Sequence, residues 1–309
     1  MVVLAEGLSE FLATTRRPGG PAMSLETARL IADREAHRIA YLRPAGMTVT
    51  DTYVVEDAIE TPVRVYRPAG EGAQAAIVYL HGGGFTTGSI ESYDAFATAL
   101  AEACEATVIS VHYRRLPEGS PRAMRDQAYQ VLCWTERMAA ALRIDAARIA
   151  VAGDSAGAFL ATHLAVLARD RGGPALTCQM LCYGVYDLDP AREAYATARD
   201  PMLPRAVIDM MIATYQGCDA RDRLPAPLAL GDVAGLPPAI LLGAEQDAFL
   251  AERRAYAERL RAAGVAVEEQ VVPATGHGFL RAVRFSAAAR DAMQWLGAAF
   301  RNRQARTIL

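Results

Sequence analysis

The strongest candidate for covalent chemistry is a serine set between glycines, Gly153-Asp154-Ser155-Ala156-Gly157. A hydroxyl is a weak nucleophile at neutral pH and attacks a carbonyl only when a neighbouring base takes its proton. The pentapeptide follows the strand-like RIAVAG (148–153) and opens a helix-like run over 156–170. Such a strand-to-helix turn presents the serine hydroxyl above a sheet in strained backbone. Small residues two before and two after it let the chain turn tightly. The helix start behind it favours negative charge at the reacting centre.

A second feature handles that charge. His81-Gly82-Gly83-Gly84 follows the apolar run AAIVYL (75–80). Three consecutive glycines expose backbone N–H groups with no side chain in the way. Acyl transfer leaves a full negative charge on the former carbonyl oxygen. Each donor aimed at that point lowers the barrier by about 3 kcal/mol. The expected donors are Gly83, Gly84 and Ala156, the residue after the serine. His81 precedes this loop and is expected to brace it by hydrogen bonding rather than to act as a base. A phosphate-binding loop does not fit, because HGGGFTTG lacks the G-x-G-x-x-G pattern and the chain contains no lysine. All 32 basic residues are arginine, which also removes Schiff-base chemistry and a Ser–Lys dyad.

The base follows by elimination. Where a serine occupies such a turn, the order along the chain is serine, acid, histidine. Of the five histidines, only His163 and His277 come after Ser155. His163 lies on the same helix, about 12 Å further along its axis and out of hydrogen-bond reach. His277 remains, in the Gly-flanked loop ATGHGF (274–279). The acid should end the preceding strand, where PAILLGAEQD places Asp247, with Glu245 a nearby competitor and Glu252 a more distant one. Asp247 is favoured because it stands where the next helix begins. Its role would be to fix the tautomer of His277 and stabilise the imidazolium.

The elements that must position these groups alternate. Strand-like runs at 48–56, 62–68, 75–80, 106–111, 148–153, 176–184, 238–244 and 265–272 are interleaved with helix-like runs at 92–103, 122–141, 156–170, 249–263 and 286–301. The first two strands alternate as an antiparallel pair, and the rest predict a mostly parallel sheet with helices on both faces. The chain starts with a short amphipathic helix over 4–13, a Pro/Gly loop over 14–21, and a helix over 24–42 with Ser24 as N-cap. Ile31, Ile39 and Leu42 fall on its apolar spacing. Residues 185–236 interrupt the alternation with no strand pattern, and the helical, Met-rich 202–216 sits inside them. An insertion of this length reads as a lid or subdomain.

Composition narrows the classes further. The chain is 52% hydrophobic with net charge −3, enough apolar material for a large core and no basic field for nucleic acid. Its five cysteines are odd in number and form no CxxC, so neither a disulfide framework nor a zinc site is expected. Cys178 and Cys182 are expected on one strand face. Glu6 and Glu10 interrupt the N-terminal apolar stretch, and apolar runs elsewhere are too short for a membrane span. A cytoplasmic protein is the expectation.

Taken together, HGGG, GDSAG, the Asp247 segment and ATGHGF resemble the hormone-sensitive-lipase family of α/β-hydrolases. VHYRRLPEGSPRAMRD (111–126) is similar to that family's Y-R-L-A-P-E segment at Tyr113, Arg114, Pro117 and Glu118. The sequence departs from the family at Ala158-Phe159, at Ala248-Phe249 and in the order Y-R-R-L-P-E. These changes bear on the pocket and on local packing. The resemblance implies an α/β-hydrolase fold with an eight-stranded sheet and a helical cap. The expected division is residues 1–46 as an N-terminal cap segment, 47–184 and 237–309 as the two parts of the core, and 185–236 as the cap insertion. It implies a serine carboxylesterase for short- to medium-chain esters, working through Ser155, Asp247 and His277 with no cofactor. An amidase, deacetylase or lactonase could use the same triad, and a non-catalytic binder could use the same scaffold. The expected partner is a small-molecule ester, with no nucleic acid and no membrane span; a homodimer is the candidate assembly.

Overall fold

The computed structural model describes residues 3–15 and 23–307. Eight strands form one sheet: β1 (Thr48–Glu56), β2 (Ile59–Arg67), β3 (Gln74–Leu80), β4 (Thr107–Val111), β5 (Ile144–Asp154), β6 (Leu176–Cys182), β7 (Ala239–Ala244) and β8 (Val267–Val272). Their spatial order is β1-β2-β4-β3-β5-β6-β7-β8. The β1–β2 and β2–β4 pairs are antiparallel, and the remaining pairs are parallel.

Ten α-helices accompany the sheet among the described residues: α1 (Leu8–Thr15), α2 (Leu25–Arg34), α3 (Asp94–Cys104), α4 (Pro121–Arg137), α5 (Ala139–Leu142), α6 (Ala156–Arg171), α7 (Glu193–Thr197), α8 (Arg205–Gln216), α9 (Leu250–Ala262) and α10 (Ala287–Thr307). The side-chain period of two divides each central strand between two apolar layers. On β3, Ala76, Val78 and Leu80 join the layer with α4, α6 and α9, while Ala75, Ile77 and Tyr79 join the layer with α3 and α10. Both faces are therefore covered, as an inner parallel strand requires. Cys178 and Cys182 do share one face, and all five cysteines are free thiols.

The largest departures from the sequence reading are at the N-terminus. The first helix is Leu8–Thr15 rather than 4–13, so Thr14 and Thr15 are helical, and residues 16–21 of the expected loop lie outside the described residues. The second helix has the expected cap, with Ser24 Oγ accepting from Thr27 N–H, but ends at Arg34. A 3₁₀ turn at Ala36–Ile39 follows. None of the residues of α2 is buried and Leu42 is exposed, so no continuous apolar stripe holds a longer helix. Ile39 instead turns inward and packs in the layer that holds Leu8 and Phe11. The expected helix over 122–141 breaks at Met138 into α4 and α5. Among the described residues no helix is long and apolar enough to cross a membrane.

The insertion at 185–236 holds α7 and α8 and contributes Ile208, Met211, Ile212 and Tyr215 to the α6-side layer. It packs as a continuation of that core.

One glycine shows how closely the outer helices lie. A Cβ at Gly297 in α10 would stand 2.1 Å from the carbonyl oxygen of Ala103 in α3. Gly297→Ala is expected to force these helices apart and lower stability by about 1–3 kcal/mol. A lower urea midpoint at unchanged slope would show this; an unchanged midpoint would contradict the contact.

Candidate active site

The end of β5 places Ser155. Its backbone sits at φ 54, ψ −122, a strained conformation for a residue with a Cβ. Its N–H donates to the Cys182 carbonyl at 2.9 Å, which ties the turn to β6. The two flanking glycines have separate steric reasons. A Cβ at Gly153 would lie 2.2 Å from the Gly157 oxygen, and one at Gly157 would lie 1.9 Å from the Leu80 oxygen. The turn can close against β3 only with both side chains absent.

The loop after β8 carries His277 and the loop after β7 carries Asp247. His277 Nε2 lies 2.7 Å from Ser155 Oγ, and His277 Nδ1 lies 2.9 Å from Asp247 Oδ2. With the proton on Nδ1, the imidazole donates to Asp247 and accepts from the serine hydroxyl. The second oxygen of Asp247 accepts from Phe249 N–H at 2.9 Å, which fixes the carboxylate at the start of α9. Tyr183 and Phe249 meet the imidazole edge-on, with centroids 5.2 and 5.1 Å away.

The structure separates the acid candidates. Glu245 accepts from Ala274 N–H at 2.8 Å and braces the base loop from its surface. Glu252 is buried elsewhere, accepting from Tyr186 N–H at 2.7 Å and the Tyr195 hydroxyl at 2.6 Å. His163 is buried on α6, with Nε2 2.8 Å from the Pro225 carbonyl.

One residue of the site carries no signal in the sequence. Asp200, buried in the insertion, accepts from the backbone N–H of His277 at 2.6 Å through Oδ2 and from Met202 N–H at 2.8 Å through Oδ1. Its partner is 77 residues away, and an Asp before a Pro reads as an ordinary turn. A side chain at Gly276 would collide with it, since a Cβ there falls 2.2 Å from Asp200 Oδ1. Burial raises the Asp200 pKa first of all, the Asp247 charge raises it further, and the two N–H donors oppose the rise.

These charges act together on His277. Burial pulls its pKa down, but the charge and hydrogen bond of Asp247, with Asp200 and Asp154 behind, outweigh that and set it above the ordinary 6.5.

The glycine loop lies beside the serine. Gly83 and Gly84 have φ of 117 and 58, and neither N–H donates to an acceptor among the described residues. Ala156 opens α6, where an N–H has no partner within the helix. The loop is held from below: Asp154 Oδ1 accepts from Gly82 N–H at 2.8 Å and from the Tyr79 hydroxyl at 2.7 Å. Buried Asp154 has its pKa pushed up to about 6 by desolvation, against the pull of these two donors.

His81 braces the loop, as expected, with Nδ1 2.8 Å from the Gly82 carbonyl; burial lowers its pKa to about 3. The Y-R-R-L-P-E segment supports the same loop. The Tyr113 hydroxyl donates to the His81 carbonyl at 2.6 Å, and Leu116 N–H donates to the Phe85 carbonyl at 2.9 Å. Glu118 receives Arg29 of α2 through both oxygens, at 2.7 and 3.1 Å, and Arg29 Nε also donates to the Thr86 carbonyl at 2.7 Å.

A cavity of about 370 Å³ opens over Ser155 and His277. Phe11, Leu12 and Thr15 of α1 line one part. Met202, Leu203, Val207, Ile208, Met210 and Met211 from the insertion line another. Gly83, Gly84, Phe249 and Arg281 complete much of the wall. The volume suits a small, mostly apolar molecule.

Comparison with known proteins gives the same picture. Residues 77–281, which include all three hydrogen-bonded side chains, match a family described as the alpha/beta hydrolase fold. The chain is 41% identical over 240 residues to a carboxylesterase of Mycobacterium tuberculosis, covering 75% of each protein. It is 39% identical over 236 residues to an ethyl acetate hydrolase of Pseudomonas putida, covering 73% of each. Its fold is similar to an esterase of Pyrobaculum calidifontis, with TM-score 0.86 at 28% identity, covering 95% of this chain and 97% of that one. An ester-hydrolase from the metagenome of Lake Arreo gives TM-score 0.86 at 32% identity, covering 96% of both. The strained serine turn, the glycine loop and these similarities lead to one conclusion: the chain belongs to the α/β-hydrolase family, among its carboxylic ester hydrolases.

Proposed function

We propose that Ser155 is the nucleophile, His277 the base and Asp247 the orienting acid of an esterase for short- to medium-chain carboxylic esters. The observation that carries this reading is the continuous hydrogen-bonded chain Ser155 Oγ–His277 Nε2 and His277 Nδ1–Asp247 Oδ2, at 2.7 and 2.9 Å. Ser155 Oγ attacks the ester carbonyl as its proton passes to Nε2. Asp247 stabilises the resulting imidazolium without taking the proton. The oxyanion forms opposite Gly83, Gly84 and Ala156 N–H, which are fixed before the reaction and need no reorganisation during it. His277 then protonates the departing alcohol. The same imidazole activates water, which attacks the acyl-enzyme and releases the acid.

The cap in this reading is made from residues 1–46 and 185–236 over a core of 47–184 and 237–309. Its support is that α1 and α8 supply much of the apolar wall. Small esters are the substrates that a cavity of about 370 Å³ admits, and the ethyl acetate hydrolase among the relatives points toward short acyl chains. A cytoplasmic setting suits five free thiols. A homodimer is the assembly we infer; Tyr53 and Val55, exposed on edge strand β1, offer it an apolar surface.

Ser155→Ala is expected to lower kcat on p-nitrophenyl esters by roughly six orders of magnitude. A fluorophosphonate should label Ser155 in the native protein. Mass spectrometry that found no adduct there would overturn the assignment.

Activity requires neutral His277, so kcat/KM should fall as pH drops through an apparent pKa above 6.5, the direction set by the surrounding carboxylates. A rate independent of pH down to pH 4 would contradict a histidine base.

Asp200→Asn removes one of the negative charges that favour imidazolium. The acid limb of the kcat/KM profile is expected to move to lower pH. A merely structural role for Asp200 would lower the rate without moving that limb.

A further inference from the structure

Arg281 stands on the wall of the reaction cavity, on the 3₁₀ turn Phe279–Ala282 that follows His277. A guanidinium offers five N–H donors. Here one of them reaches the Ser92 carbonyl at a long 3.4 Å, and the plane lies 4.7 Å from the Tyr93 ring centroid. Its Nε is buried with no partner. No carboxylate lies within ion-pair distance of it among the described residues.

Several other little-exposed arginines pair with carboxylates, whereas Arg115 and Arg259 bond only backbone carbonyls among the described residues. Arg64 meets Asp51, Glu91 and Asp94; Arg253 meets Glu269; Arg29 meets Glu118. Asp154, the one carboxylate among the described residues lining the cavity, is bonded to Tyr79 and Gly82, and Arg281 acts on it only through space. The cavity wall therefore carries a cation with no carboxylate in ion-pair contact among the described residues. A guanidinium on a cavity wall with no carboxylate paired to it is suited to receive an anionic group of a ligand.

We propose that Arg281 binds an ionised carboxylate on the substrate, so that the preferred substrates are small esters bearing a second, free carboxylate. This rests on the esterase reading above and narrows its substrate class. The guanidinium would pair with the carboxylate in a charge-assisted, bidentate contact, holding the ester carbonyl over Ser155.

The test compares charged esters with neutral isosteres in the purified full chain. One series carries the carboxylate on the acyl part: monoethyl succinate, glutarate and adipate, each beside its ω-amide. The other carries it on the alcohol part: 3-acetoxypropanoate and 4-acetoxybutanoate, again with their amides. In at least one series the native protein should favour the carboxylate over the amide by roughly tenfold or more in kcat/KM. Arg281→Met should abolish that ratio, and Arg281→Lys should retain part of it. Amides cleaved as well as the carboxylates in both series overturn the proposal while leaving the esterase reading intact, and this needs no variant to fold. A ratio that survives in Arg281→Met also overturns it. If neither carboxylates nor amides are cleaved, the esterase reading and this inference fall together.

Discussion

The backbone of Ser155 is the constraint on which the site depends. At φ 54, ψ −122 it stands in a region that costs of order 1–3 kcal/mol for a residue with a side chain. The surroundings leave it no relaxed alternative. β5 is hydrogen-bonded on both sides, to β3 and β6, and α6 starts immediately after the serine. Gly153 and Gly157 allow the strand, the helix and the Leu80 carbonyl to meet within distances no side chain would permit. The hydroxyl is thereby held at the C-terminal end of the parallel strands. The loops after β7 and β8 bring their side chains to the same end.

The segments before β1 and between β6 and β7 are both fastened to the candidate site through charged residues. From α2, Arg29 reaches the Thr86 carbonyl and Glu118, gripping the glycine loop and the segment that supports it. From the insertion, Asp200 holds the backbone of His277. Met211 of α8 also packs close to Gly84, with its Cγ 3.4 Å from where a Cβ would stand. The segment between β6 and β7, which lines the cavity, thus touches both the glycine loop and His277.

The electrostatics follow a division of labour between buried acids. Asp247 binds the imidazole directly, while Asp200 and Asp154 act on it through space and organise backbone on either side. Burial works against the imidazolium, and this cluster of carboxylates more than offsets it. His277 thereby keeps an affinity for a proton that an isolated buried histidine would lose. His81 and His163, which lack such neighbours, show that loss, with pKa values near 3 and 4.

Much of this was legible in the chain itself. Gly-rich turns, period-two strands and apolar helix faces are local signals, and they located the eight strands, the serine turn and the glycine loop to within a few residues. The order serine, acid, histidine singled out His277 from a short list, and Asp247 stood ahead of Glu245 and Glu252 by its place at a helix start. What the chain did not disclose depends on contacts between distant segments. The early end of α2 was decided by Ile39 turning into the core while Leu42 stayed in water. Asp200 acquired its role only when the insertion folded back onto a loop 77 residues away. Arg281 became a cation in a cavity only when α1 and α8 closed apolar walls around it. Local pattern fixes which elements form and in what order, because backbone hydrogen bonding and side-chain periodicity are properties of neighbouring residues. Burial, pairing and field at a point are sums over the whole packed molecule, and only the tertiary structure sets them.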